Sequence, residues 1–89
     1  MPNVVIPPPY RGPTKGQAEI QVEGKTVREC LDAVSARYPG FRDLVYEAEG
    51  RLPDFVRLFV NGVPVATDAL DTSVSAEDEV SLLAAIAGG

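Results

Sequence analysis

One segment limits what this chain can fold into more than any other. Phe55-Val56-Arg57-Leu58-Phe59-Val60 is followed by Asn61-Gly62 and then Val63-Pro64-Val65. A run dominated by Val and Phe fits the pleated, half-buried surface of a strand. Asn-Gly supplies the two positive φ angles of a type I′ turn, so the return strand is antiparallel. Pro64 has no N–H for a ladder, which makes that return short or places it at a sheet edge. Any fold of this chain is therefore built around a hairpin.

The remaining segments complete a sheet and one main helix. Val4, Val5 and Ile6 form a short first strand that Pro7-Pro8-Pro9 ends, and residues 7–16 read as a loop. The triple proline also has the form of a polyproline ligand, although the strand that follows favours a hairpin connection. Residues 17–23 alternate, with Ala18, Ile20 and Val22 on one side and Glu19, Gln21 and Glu23 on the other; this is a strand with one buried face. Thr26 and Glu29 have capping-box spacing, in which Glu29 reaches back to the Thr26 amide. The spacing predicts a helix over 27–38, about 18 Å long, with Val27, Leu31, Val34 and Tyr38 as its apolar stripe. Arg28 and Asp32 are expected to pair along its wet side. Pro39-Gly40 should stop it, with another helical turn over 41–45. Residues 46–54 read as an exposed connection, and 66–78 as a loop pinned by Leu70 and Val74. Glu77-Asp78-Glu79 reads as a solvated turn before a last strand over 79–84. In that strand Val80, Leu82 and Ala84 face one side and Ser81, Leu83 and Ala85 the other.

The order strand, strand, helix, strand, short strand, strand is α+β. The first and last strands are the most apolar and belong in the middle of the sheet. This is the β-grasp arrangement: a mixed sheet of about five strands with one main helix packed across it. Residues 1–84 are expected to be the β-grasp domain and 85–89 a flexible tail.

Composition narrows the chemistry. The chain has 89 residues, and chains of this size rarely divide into domains. A thin core leaves little room for a deep catalytic cleft. With 13 acidic against 8 basic residues the net charge is −5, which argues against nucleic acid or an anionic membrane as the main partner. The absence of His removes His-based acid–base catalysis, Ser-His-Asp and Cys-His nucleophiles and His-containing zinc sites. A single Cys makes neither an internal disulfide nor a thiolate metal cluster, so no metal site and no bound cofactor is expected, and a reducing, cytoplasmic setting fits. No apolar run is long enough to span a membrane, and the proline-broken N-terminus does not read as a signal peptide.

The chain ends Ile86-Ala87-Gly88-Gly89 directly after the last strand. Glycine is costly to order, so this tail is expected to be mobile. Residues 85–89 reach about 16 Å when extended and, lacking bulk at the tip, can thread a narrow channel in another protein. A carboxylate acylates poorly because oxide is a poor leaving group. ATP converts it to an acyl-adenylate that a sulfur nucleophile can attack. On this reading Gly89 is the reacting residue, and every catalytic group belongs to the partner.

With these features together, the sequence resembles the ubiquitin-like sulfur carrier family, which includes the thiamine-pathway carrier, the small subunit of molybdopterin synthase and the actinobacterial carrier for cysteine synthesis. The residues that carry the resemblance are Phe55 to Gly62, then Asp78-Glu79-Val80-Ser81-Leu82-Leu83, then Ile86-Ala87-Gly88-Gly89. It implies a protein substrate rather than an enzyme. An E1-like adenylating enzyme would use ATP to activate Gly89. A sulfur donor would convert the adenylate to a thiocarboxylate, and an acceptor enzyme would take the sulfur. Gly88 is then the steric requirement behind Gly89, with Ile86 and Ala87 as the adjoining tail. Residues 41–54 match the extra segment of the molybdopterin and cysteine-type relatives, and a cysteine or sulfur-metabolite carrier is favoured. A molybdopterin synthase small subunit, a ubiquitin-like protein modifier and a plain β-grasp binding domain are the alternatives. Leu83-Ala84-Ala85-Ile86 departs from the pattern, because many relatives place proline there and so stiffen the base of the tail.

If Val56, Leu58 and Val60 pack on the helix, Phe55, Arg57 and Phe59 point outward, and Leu83 does so on the last strand. These four form a partner-binding patch, unless loops cover Phe55 and Phe59. Cys30 lies beside the apolar stripe and reads as a buried packing residue rather than a sulfur site. Tyr10, Tyr38 and Tyr46 also read as packing residues.

Overall fold

The computed structural model describes residues 1–46, 52–53 and 56–84. The predicted mobile tail 85–89, Phe55 and most of the 46–54 connection lie outside the described residues. The elements are β1 (Asn3–Val5), a 3-10 turn (Pro8–Tyr10), β2 (Glu19–Gln21), α1 (Val27–Arg37), α2 (Pro39–Val45), β3 (Val56–Val60), β4 (Val63–Val65) and β5 (Glu79–Ala84). One five-stranded mixed sheet has the order β2-β1-β5-β3-β4. β5 runs parallel to β1 and antiparallel to β3, so the first and last strands do take central places. This is the β-grasp fold expected from the sequence.

The hairpin forms as predicted. Asn61 (φ 52°) and Gly62 (φ 79°) both occupy the left-handed region that a type I′ turn requires, and β4 is a three-residue edge strand. Strands one and two are displaced or shortened relative to expectation. β1 starts and ends one residue earlier than Val4–Ile6, although the Ile6 N–H still donates to the Ala18 carbonyl (2.7 Å). β2 covers only the middle of 17–23, with Ile20 and Val22 buried and Glu19, Gln21 and Glu23 exposed, as the alternation required.

α1 ends at Arg37, one residue before the predicted end, and buries Val27, Cys30, Leu31 and Val34 against the sheet, with Tyr38 partly buried beside them. Thr26 Oγ1 accepts from the Glu29 N–H (3.1 Å). The reciprocal half of the capping box does not form, because the Glu29 carboxylate instead accepts from the Lys25 N–H (3.0 Å). The loop at 66–74 completes the cap. The Val27 N–H donates to the Thr72 carbonyl (3.0 Å) and the Arg28 N–H to the Leu70 carbonyl (2.8 Å). Three first-turn donors that a helix leaves unpaired are thus satisfied, and Leu70 and Val74 are buried beneath.

α1 stops ahead of Pro39-Gly40 as expected, and the further turn expected over 41–45 forms within a helix that starts two residues earlier. Tyr38 (φ −131°, ψ 85°) separates the two helices, and Pro39 opens α2 at a position whose N–H needs no partner. Several local expectations are corrected. The predicted Arg28–Asp32 pair does not form. Arg28 reaches Asp71 across the loop (3.5 Å), and Asp32 meets Arg42 on α2 (3.6 Å). Both pairs are exposed and add at most about 1 kcal/mol each. The long-range partners sit on rigid neighbouring backbone, which an i,i+4 rule does not see. Within the connection read as exposed, Leu52 and Pro53 are buried. Residues 7–16 form a packed loop rather than a polyproline ligand: Tyr10 enters the core, and the fully buried Thr14 hydroxyl donates to the Gln17 carbonyl (3.0 Å).

The acidic turn is also more than a solvated face. Asp78 Oδ2 accepts from the Ser75 N–H (2.7 Å), and Asp78 Oδ1 accepts from Asn61 Nδ2 (2.9 Å). The Glu79 N–H donates to Asn61 Oδ1 (2.9 Å), while the Asn61 N–H donates to the Glu79 carbonyl (2.8 Å). The hairpin turn and the start of β5 are therefore tied through both ends of one amide side chain. The Ser75 N–H, then the Asn61 amide, hold the Asp78 carboxyl below its ordinary value.

Two expected outcomes follow from this packing. Phe41 is the largest fully buried side chain among the described residues, so Phe41→Ala should cost about 3–5 kcal/mol in urea unfolding. Because folding depresses the Asp78 pKa, its contribution is present above the unfolded Asp value of about 3.9 and is lost as pH falls through the lower folded value. Asp78→Asn should thus lower the urea midpoint at pH 6 and change it little at the acid end of that window. An equal loss at both pH values would refute the role given to the carboxylate.

Candidate functional site

The sheet has one face covered by α1; among the described residues no element packs on the other, open face. The strand register maps the open face residue by residue. Val5 pairs with Glu19 on one side and Ser81 on the other; Ser81 pairs with Phe59, and Phe59 with Pro64. One step toward the C-terminal end of β5, Leu83 pairs with Arg57. Side chains alternate across a strand. Since Val4, Ile20, Val80, Leu82, Val56 and Leu58 are buried under the helix, the paired residues between them project from the other face.

Of the four predicted patch residues, three fall on this face. Leu83 is 52% exposed, a high value for a leucine within a central strand. Arg57 is exposed beside it, and Phe59 is half-buried. Phe55 lies outside the described residues, as do Ile86, Ala87, Gly88 and Gly89. Alternation within single strands was enough to place Arg57, Phe59 and Leu83. It placed Ser81 on the Leu83 side of β5 but missed Val5 and Pro64, which join the same surface through cross-strand pairing, and a single strand's pattern holds no trace of its neighbours.

The geometry puts the patch at the root of the tail. Ala84, the last described residue, pairs with Val56, and Leu83–Arg57 is the adjacent pair. An exposed leucine, a guanidinium and a half-buried phenylalanine thus stand on the open face at and just before the end of β5. Among the described residues, the acidic open-face positions Glu79 and Glu19 lie away from this end, opposite Asn3 and Val5 respectively.

The one thiol is far from this surface in chemical terms. Cys30 is fully buried on the core side of α1. Gly24 lies directly on it: a Cβ there would stand 2.9 Å from the Cys30 amide nitrogen and 3.0 Å from Sγ, so only glycine permits the approach. Burial first, then the Glu29 charge, pushes the thiol pKa up, away from the reactive thiolate. Burial and the nearby Asp32 carboxylate similarly raise Tyr46 to about 12, and its hydroxyl is buried without a well-formed hydrogen bond. Among the described residues no three of Cys, Asp and Glu converge as a metal-binding group, and no helix is long and apolar enough to cross a membrane.

Comparison with known proteins accords with this geometry. The ThiS family model matches residues 9–89. The sulfur carrier protein CysO of Mycobacterium tuberculosis is 32% identical over 89 aligned positions, covering 97% of this chain and 96% of the relative. A putative sulfur carrier protein of Archaeoglobus fulgidus is 33% identical, covering 84% of this chain and 86% of the relative. Among solved structures, a chain of the Amycolatopsis orientalis BexX/CysO complex superimposes with a TM-score of 0.87 at 30% identity, with both chains fully covered. The fold, the open face at the end of β5 and the match over nearly the whole length lead to one conclusion: the chain belongs to the ThiS family of ubiquitin-like sulfur carriers.

Proposed function

We propose that this protein carries sulfur as a thiocarboxylate on Gly89 and that its own side chains supply recognition, not catalysis. The observation that best supports the reading is the exposed Leu83–Arg57 pair at the root of the tail. It gives an activating enzyme something to hold while the last residues enter its active site. The chemistry is balanced by ATP. The Gly89 carboxylate attacks the α-phosphorus and expels pyrophosphate, giving an acyl-adenylate. Sulfide, as the sulfur donor, then adds to the acyl carbon and AMP leaves, so one carboxylate oxygen departs with AMP and the sulfide sulfur remains on the chain as the thiocarboxylate. The activating partner is an E1-like adenylating enzyme, ATP is its substrate, and the setting is the reducing cytoplasm.

The thiocarboxylate is a nucleophile and passes its sulfur to an acceptor enzyme. Cysteine or another sulfur-containing metabolite is the favoured product, a reading that draws on the likeness to CysO-type carriers. The BexX/CysO complex shows that a protein of this fold and length is held by a partner protein; for this chain an equivalent partner would cover Arg57, Phe59 and Leu83.

Incubation with an E1-like enzyme, ATP and sulfide should exchange one oxygen for sulfur at the C-terminus, read by intact mass. Unchanged mass with a competent enzyme, or equal loading after Gly89 is deleted, would refute the reading. Leu83→Glu should leave the fold intact, since the side chain is exposed, but raise the carrier concentration needed for half-maximal adenylation by roughly tenfold or more, the scale of an interface anchor. Cys30→Ala should load normally, and native protein should resist alkylation by iodoacetamide until it is unfolded.

A further inference from the structure

The two outer edges of the sheet are unlike. At the β4 edge, Pro64 cannot donate and the strand is short. At the β2 edge no strand pairs with the outer backbone among the described residues. The Ala18 carbonyl and the Val22 N–H bond to the β1 side, at 2.7 Å and 3.0 Å. Ile20, two residues from each, is turned the same way and pairs with Val4. The backbone groups of Glu19 and Gln21 therefore point outward, and of these only the Gln21 carbonyl has a contact among the described residues, a long one (3.5 Å) from Arg37.

Two further features flank that edge. On the helix side, a groove of about 270 Å³ runs between β2 and the end of α1; Met1, Ile20, Tyr38 and the stem of Arg37 give it apolar surface, and Gln17, Glu19 and Gln21 form its rim along β2. On the open-face side stand the exposed carboxylates of Glu19 and Glu23. A strand laid along β2 would present alternate side chains to these two surfaces.

We propose that the outer edge of β2 is a docking site for an extended segment of a partner protein in which basic and apolar residues alternate. The segment adds as a sixth strand. Its backbone pairs with the outward N–H and C=O groups of Glu19 and the N–H of Gln21. Its basic residues meet Glu19 and Glu23, and its apolar residues enter the groove against Met1, Ile20 and the stem of Arg37. Charge selects this occupant. An acidic strand is repelled by the carboxylate pair and by a body of net charge −5. A second copy would bring Glu19 and Glu23 against their own kind, an arrangement that disfavours edge-to-edge self-pairing. The site does not depend on the sulfur-carrier chemistry. It is separated from β5 by the whole of β1, so a partner held here leaves the root of the tail free.

The test uses the full-length, 15N-labelled protein and an acetylated, amidated hexapeptide of alternating Lys and Val. Amide shifts are expected within residues 17–23 and at Arg37 and Tyr38, with slowed hydrogen exchange at the Glu19 and Gln21 N–H groups. The Glu19→Gln/Glu23→Gln double variant should weaken binding by roughly threefold or more, as should a rise in salt, because both act on exposed charge. Gln21→Pro removes an outward donor without breaking a ladder bond and should abolish the slowed exchange. Deleting Gly88 and Gly89 should leave peptide affinity unchanged, which separates this site from the loading reaction. The proposal is overturned if no shifts appear at millimolar peptide, if they centre on Leu83 and Phe59, or if the corresponding Glu-Val hexapeptide binds equally well.

Discussion

The structure depends on β5 being bonded along both sides. β1 occupies one edge in parallel and β3 the other in antiparallel fashion, while Val80 and Leu82 are buried under α1. A strand held in this way cannot swing, so the direction in which the chain leaves at Ala84 is set by the sheet. Leu83 and Arg57, paired one step before Ala84, are therefore held at a fixed place at the end of the sheet.

Holding β5 there has a topological cost. Its parallel partner is the first strand, so nearly the whole chain must be arranged between them. Contacts of such high sequence separation slow folding. Local devices offset this by stiffening what lies between. The Asn61–Gly62 turn sets the hairpin register, and the Asn61 amide locks that turn to Asp78 and Glu79. The irregular segment before β5 is ordered because its carbonyls cap α1. A stretch with little periodicity is thus a structural part of the helix terminus rather than a connector.

The distribution of reactive groups is consistent with a carrier. The thiol is sealed beneath Gly24 and kept protonated by burial. The tyrosines at positions 10 and 46 have raised pKa values and buried hydroxyls. What the body offers outward is surface: an apolar and basic patch at one end of the open face, and a carboxylate-lined strand edge on the other side of β1.

The sequence by itself determined the elements whose cause is local. Asn-Gly dictated the hairpin because two consecutive positive φ angles leave little choice. The alternation in 17–23 and 79–84 dictated which residues face the core, and Thr26 dictated where α1 begins. The Gly-Gly ending led to the proposed chemistry; the family match supports the coarser statement that the chain is a sulfur carrier. What only the tertiary structure decided were relations between distant segments. Arg28 and Asp32 each chose a partner across the fold rather than each other, because backbone rigidity elsewhere placed better-positioned charges. Pro39 began a helix as well as following one, since α2 had a core to bury Phe41 in. Val5, Ser81 and Pro64 joined Phe59 on one surface, and the β2 edge was left unpaired, because strand neighbours are set by long-range hydrogen bonding. Periodicity reports which way a side chain points from its own strand; it carries no information about which strand lies alongside.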